Sequence, residues 1–225
     1  MPSDELGVFA NYSLRDLTRI LAALAKYETD PNGFAKACHE AGIKLVIHPL
    51  WEGLPYSTVH LPIMPDILYQ LLQGLIRHLV HWIKEAYSIE EIDARCRQLP
   101  HNSHVRHFFK GISPLSRVTG KEHNDVARIL LGLIIDMPLP DGQLAARLLS
   151  ATRALLDFLF LAQYPVHSDE SLEHLQDALR HFYANKDIFV DLGIQKDFNL
   201  PKLYFLMHYT PLIKYKGTAD NFDTA

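Results

Sequence analysis

Hydrophobic residues recur at helical spacing along most of this chain, and no other feature constrains its fold as strongly. From Asp66 onward, Leu68, Leu71, Leu72, Leu75, Ile76, Leu79, Trp82 and Ile83 fall at i, i+3, i+4 and i+7, a single apolar stripe on a helix. Ser13 with Asp16 three residues later signals a cap for a first helix faced by Leu14, Leu17, Ile20, Leu21 and Leu24. Asp30-Pro31-Asn32-Gly33 breaks that helix, and a short one over 34–40 is expected to stop at Gly42. Ser88-Ile-Glu-Glu91 starts another helix through Cys96. Further helices are predicted over 125–135, from a cap at Asp141 to about Gln163, and over 168–184, 186–192 and 201–214. Only residues 44–48 and 57–61, short and rich in β-branched side chains, suggest strands. The expected fold class is therefore mainly α, with a small β element near 44–61.

Composition narrows the function classes. With 225 residues, 48% of them hydrophobic, the chain can bury a core without disulfides or a structural metal. Two cysteines, Cys38 and Cys96, exclude a disulfide framework and a four-cysteine zinc module. The N-terminal stretch lacks a basic region followed by an apolar run, so no secretory signal is expected. The most apolar windows, 68–83 and 145–162, are interrupted by Arg77, His78, His81, Arg147, Arg153 and Asp157, so no membrane span is expected either. An intracellular location follows from these expectations. Phosphate-cradling glycine motifs and the G-x-S-x-G nucleophile elbow are missing, which argues against a nucleotide cofactor. Histidines spaced by three, His78 with His81 and His101 with His104 and His107, could ligate zinc, but no nearby cysteine or carboxylate completes a set of four.

Net charge is −4, yet positive charge is concentrated between residues 95 and 128. Arg95, Arg97, Arg106, Lys110, Arg117, Lys121 and Arg128 face only Glu122 and Asp125 there. Such a patch can neutralise DNA phosphates, with Arg106, Lys110, Arg117 and Lys121 as candidate contacts, or serve as a solvated face. Asp66, between Pro65 and a long apolar helix, reads from spacing alone as an N-cap.

Several separated blocks carry a family resemblance. They read Pro65-Asp-Ile-Leu-Tyr-Gln-Leu-Leu-Gln-Gly74, Ile92-Asp-Ala-Arg-Cys96, Lys110-Gly-Ile-Ser-Pro-Leu-Ser-Arg117, Arg153-Ala-Leu-Leu-Asp-Phe158, Leu161-Ala-Gln-Tyr-Pro165, Asn185-Lys-Asp187, Pro201-Lys-Leu203 and Asp220-Asn-Phe222. In order and spacing the chain resembles the Plavaka transposases, cut-and-paste DNA transposases of mushroom-forming fungi. The resemblance implies a nuclear protein with a ribonuclease-H-like core that cuts DNA through an acidic triad and two divalent ions, Mg²⁺ or Mn²⁺. It implies that residues 1–65 belong to that core, that 66–216 form a helical insertion-type domain, and that 217–225 are a polar tail. Asp66 would then be the second acid of the triad and a metal ligand. Tyr69 and Tyr204 stand where the family blocks carry histidine. The first acid is expected before Met1 and the last beyond Ala225, in a Glu-x-Leu-His segment. One carboxylate cannot hold two ions, so the chain is expected to lack cutting activity alone and to bind no metal. The alternative is a non-catalytic helical module that contacts DNA or protein, self-associates or pairs with an intact transposase.

Overall fold

The computed structural model describes residues 16–49, 65–139 and 142–219. The chain divides into two compact units, Met1–Ile63 and Met64–Ala225. In the first, Asp16 caps α1 (Leu17–Thr29), its carboxylate accepting from the Thr18 amide at 2.9 Å. Asp30 then serves two helices. Its amide donates to Lys26 at the end of α1, and its carboxylate accepts from Gly33 at the start of α2 (Pro31–Glu40), where proline needs no amide partner. Gly42, at φ 70°, takes the left-handed turn that follows α2. The two helices bury Ile20, Leu24, Phe34 and Cys38 between them. Tyr27 packs edge-on against Phe34 with ring centroids 5.4 Å apart, and Arg19 donates to the Glu40 carbonyl.

The expected β element is not formed where it can be judged. Residues 44–48 make no strand, and Leu45, Val46 and Ile47 are exposed. A strand is stable only inside a ladder, no described segment pairs with this one, and His48 at φ 47° breaks its extended course. Residues 57–61 lie outside the described residues, as do Ser13, Leu14 and Asp141.

Among the described residues of the second unit every regular element is a helix. A π-helix (Ile67–Ile76) runs directly into α3 (Arg77–Ala86), followed by α4 (Ile89–Gln98), α5 (Gly120–Ile134), α6 (Gly142–Ala162) and α7 (Asp169–Asn185). α8 (Ile188–Asp191), α9 (Pro201–Leu206) and α10 (Tyr209–Lys216) complete it. The helix expected over 201–214 is thus two, separated by a turn at Met207 and His208. α5 begins earlier than its apolar stripe suggests because Thr119 and Glu122 form a reciprocal capping box. α6 packs along α7, while α5 and α9 flank the π-helix.

Trp82 is fully buried and lies 4.8 Å from the Phe189 ring, with Phe198 edge-on to it at 5.7 Å. Phe158 meets Tyr209 edge-on at 5.5 Å. The Tyr209 hydroxyl spends its polarity on the Asp66 carbonyl at 2.6 Å, which ties α10 to the start of the π-helix. Each such ring contributes roughly 2 kcal/mol or more through burial. Both cysteines are buried and free, and burial together with the nearby Asp93 charge pushes the Cys96 thiol up to about 11, so it stays protonated.

Asp93, on α4, is buried and holds the long loop between α4 and α5. Its Oδ1 accepts from the Ile112 and Ser113 amides at 2.8 and 3.0 Å, and its Oδ2 accepts from the Ser113 hydroxyl. Gly111 lies against the same carboxylate at φ 85°, where a Cβ would come within 2.1 Å of it. Asp93→Ala would strand buried amide donors, each costing about 1–3 kcal/mol. The variant is expected to lower stability by roughly 3 kcal/mol, read as a lower denaturation midpoint in urea.

Candidate functional site

Asp66 sits half-buried at the first turn of the π-helix in an extended conformation, φ −89° and ψ 167°. Its Oδ1 accepts from the Tyr69 amide and, at 3.3 Å, from the Gln70 amide. The helix it caps is braced from α9: the Gln70 side chain donates to the Lys202 carbonyl at 2.6 Å, and the Lys202 ammonium donates to the Tyr69 carbonyl at 2.6 Å. Tyr69 itself is exposed, and Tyr204 packs edge-on against His208 at 5.0 Å. One Asp66 oxygen is thus committed to backbone amides, which leaves Oδ2 as the oxygen for a cation. Mg²⁺ or Mn²⁺ needs several further oxygen ligands in near-octahedral geometry. Among the described residues no three His, Cys, Asp or Glu side chains converge to hold a metal.

The four basic candidates part company. Arg106 is engaged: its guanidinium pairs with Glu122 and lies 5.6 Å above the Phe108 ring. Lys110 and Lys121 are exposed and make no ion pair among the described residues. Arg117 lies elsewhere, on the wall of a cleft of about 630 Å³. The opposite wall is α3, which presents Arg77, His81 and Lys84, and His123 of α5 closes one side. Arg77, His81 and Lys84 are spaced at i, i+4 and i+7, so the sequence already placed them on one helical face. Their partner across the loop was not legible, because nothing local says where Arg117 turns.

Residues 1–83 match the family model of the Plavaka transposases. The resemblance is shown for that stretch. It includes Asp66 and ends inside α3, so the Plavaka-like blocks from Ile92 onward lie beyond the matched residues. No curated protein and no solved structure matches the chain significantly. The match points to a transposase-like function. The Plavaka-like segment thus ends in a helix that also carries Arg77 and His81 of the cleft.

Cleft electrostatics are set by burial as well as by charge. The Lys84 ammonium donates to the Ile112 carbonyl at 2.9 Å, and burial holds its affinity for a proton below the ordinary lysine range, although Asp93 opposes this. His123 is buried and titrates below the ordinary value, chiefly through desolvation and further through the Arg77 charge beside it. His81 pairs with Glu85 on the next turn at 3.9 Å. Among the described residues no helix is long and apolar enough to cross a membrane.

Two outcomes follow. Asp66→Ala should cost about 1 kcal/mol by removing the cap, and Asp66→Ser should restore most of it, as read from urea midpoints. Burial lowers His78, His123, His167 and His208 below 6.5, so the unfolded chain takes up protons that the folded chain refuses. Stability should therefore decline as pH falls from 6.5 towards the folded values. Asp136, held low by Arg95, acts only below 3.8. Denaturation midpoints on both sides of pH 6.5 check the sign.

Proposed function

We propose that this chain is a transposase-derived protein that contacts DNA but does not cut it unaided. The observation that carries the reading is the state of Asp66. Within the stretch that matches the Plavaka family, this acid caps a helix, and among the described residues it belongs to no group of three His, Cys, Asp or Glu that could hold a metal. In-line displacement at a phosphodiester needs two ions roughly 4 Å apart, gripped by several carboxylates. Descent from a ribonuclease-H-like nuclease, with Mg²⁺ or Mn²⁺ as its ions and the nucleus as its compartment, is the ancestry we assign to it. A complete centre would need acids supplied by residues beyond those described or by an intact transposase partner.

DNA contact on this reading is electrostatic. Lys110, Lys121 and Arg117 are the cations available to phosphates, whereas Arg106 is already neutralised by Glu122. Each phosphate contact adds about 0.9 to the slope of log affinity against log salt. Reversing Lys110 and Lys121 to Glu should flatten that slope for duplex DNA by about 2, and Arg106→Gln should leave it nearly unchanged. Supercoiled plasmid incubated with the full chain and Mg²⁺ or Mn²⁺ should show no more nicking than with Asp66→Ala. Nicking that disappears in the Asp66→Ala preparation would overturn the reading.

A further inference from the structure

The arginines of the second unit divide into two groups. Arg95 bonds Glu91 and Asp136, Arg106 bonds Glu122, Arg147 bonds Asp191, Arg153 approaches Asp157, and Arg180 bonds Asp177. Arg77, Arg97, Arg117 and Arg128 meet no carboxylate among the described residues, and of these Arg77 and Arg117 line the same cleft. On a chain with net charge −4, a carboxylate to neutralise them would be easy to supply. Instead like charges are gathered: Lys84 joins the arginines, two histidines lie beside them, and no aspartate or glutamate lines the cleft.

Two further features show a built arrangement. Arg117 is at φ 55°, a left-handed conformation that side-chain-bearing residues rarely take and that surrounding structure must impose. It follows the segment that Asp93 anchors through Ile112 and Ser113, so a buried carboxylate fixes the loop that delivers it. Lys84 is fixed from the same loop by its bond to the Ile112 carbonyl. Gln73 and Ser116 add neutral donors at the lining. Guanidinium forks suit the paired oxygens of phosphate, and an ammonium adds a point charge.

We infer that the cleft between α3 and the α4–α5 loop is a binding site for a phosphate group, gripped by Arg77, Lys84 and Arg117. The group is a phosphomonoester or free phosphate, whose oxygens can enter a cleft rather than lie across an open face. Its source is either a phosphorylated DNA strand end or a small phosphate compound. The inference stands on these residues alone and needs no contribution from Asp66, so nicking by the chain would leave it intact.

Calorimetric titration of the full chain with inorganic phosphate, a 5′-phosphorylated oligonucleotide and its 5′-hydroxyl counterpart tests it. Inorganic phosphate should bind saturably, and the phosphorylated strand should compete with it. Arg77→Gln and Arg117→Gly should each weaken binding about tenfold or more, while Lys110→Gln should not. Arg117→Gly suits the left-handed backbone, so it separates loss of the guanidinium from loss of the fold, which circular dichroism checks. Tighter binding of the phosphorylated strand than of free phosphate identifies a strand end, and equal binding identifies a small compound. Failure of inorganic phosphate to bind, or binding untouched by both arginine variants, would overturn the inference.

Discussion

The contact between Asp93 and the backbone at Ile112 and Ser113 organises the least regular part of the molecule. The 21 residues between α4 and α5 carry no helix, and a loop of that length gains little from its own side chains. A buried carboxylate that accepts two amides and a hydroxyl gives it a fixed point, and Gly111 is the residue that lets the backbone approach. Everything downstream inherits that geometry. Lys84 reaches the Ile112 carbonyl, and five residues past it Arg117 turns left-handed into the cleft. A burial cost borne by one aspartate thus places cations contributed by two distant stretches of chain.

Asp66 illustrates how one residue can satisfy both a structural and an ancestral reading. Its position before a long apolar helix predicts a cap, and it caps. It also lies inside the stretch that matches the Plavaka transposases. Capping and metal ligation are compatible for a carboxylate with two oxygens, so the cap alone decides nothing. The proposed reading rests instead on ligand number: divalent ions are held by several ligands in fixed geometry, and no group of three His, Cys, Asp or Glu forms among the described residues. The proposed division of labour, DNA contact without cutting, follows from that difference.

The basic window shows where charge counting along a sequence stops being informative. Arg106 and Arg117 look alike in composition, eleven positions apart in one loop. Arg106 meets Glu122 because the capping box at Thr119 holds that glutamate at the start of α5, while Arg117 lines a different cleft. Arg77 and Lys84 lie outside the window altogether, yet they share the cleft with Arg117. The π-helical winding of Ile67–Ile76 was equally illegible. Its apolar stripe reads as ordinary helix, and its bracing comes from Lys202, more than a hundred residues away, which bonds Gln70 and Tyr69.

From the sequence alone came most of the helices, the caps at Asp66 and Ser88, and the turn at Gly42, because these depend on backbone amides and apolar spacing within a few residues, whereas Asp16 rather than Ser13 proved the residue next to α1 and Asp30 opened α2 at Pro31. Tertiary structure alone decided that residues 44–48 make no strand, that one long C-terminal helix is two, and that Arg117 lines a cleft with Arg77. Each of those outcomes turns on a partner remote in the chain. Local patterns hold no information about which remote groups will be within reach of a hydrogen bond or a charge.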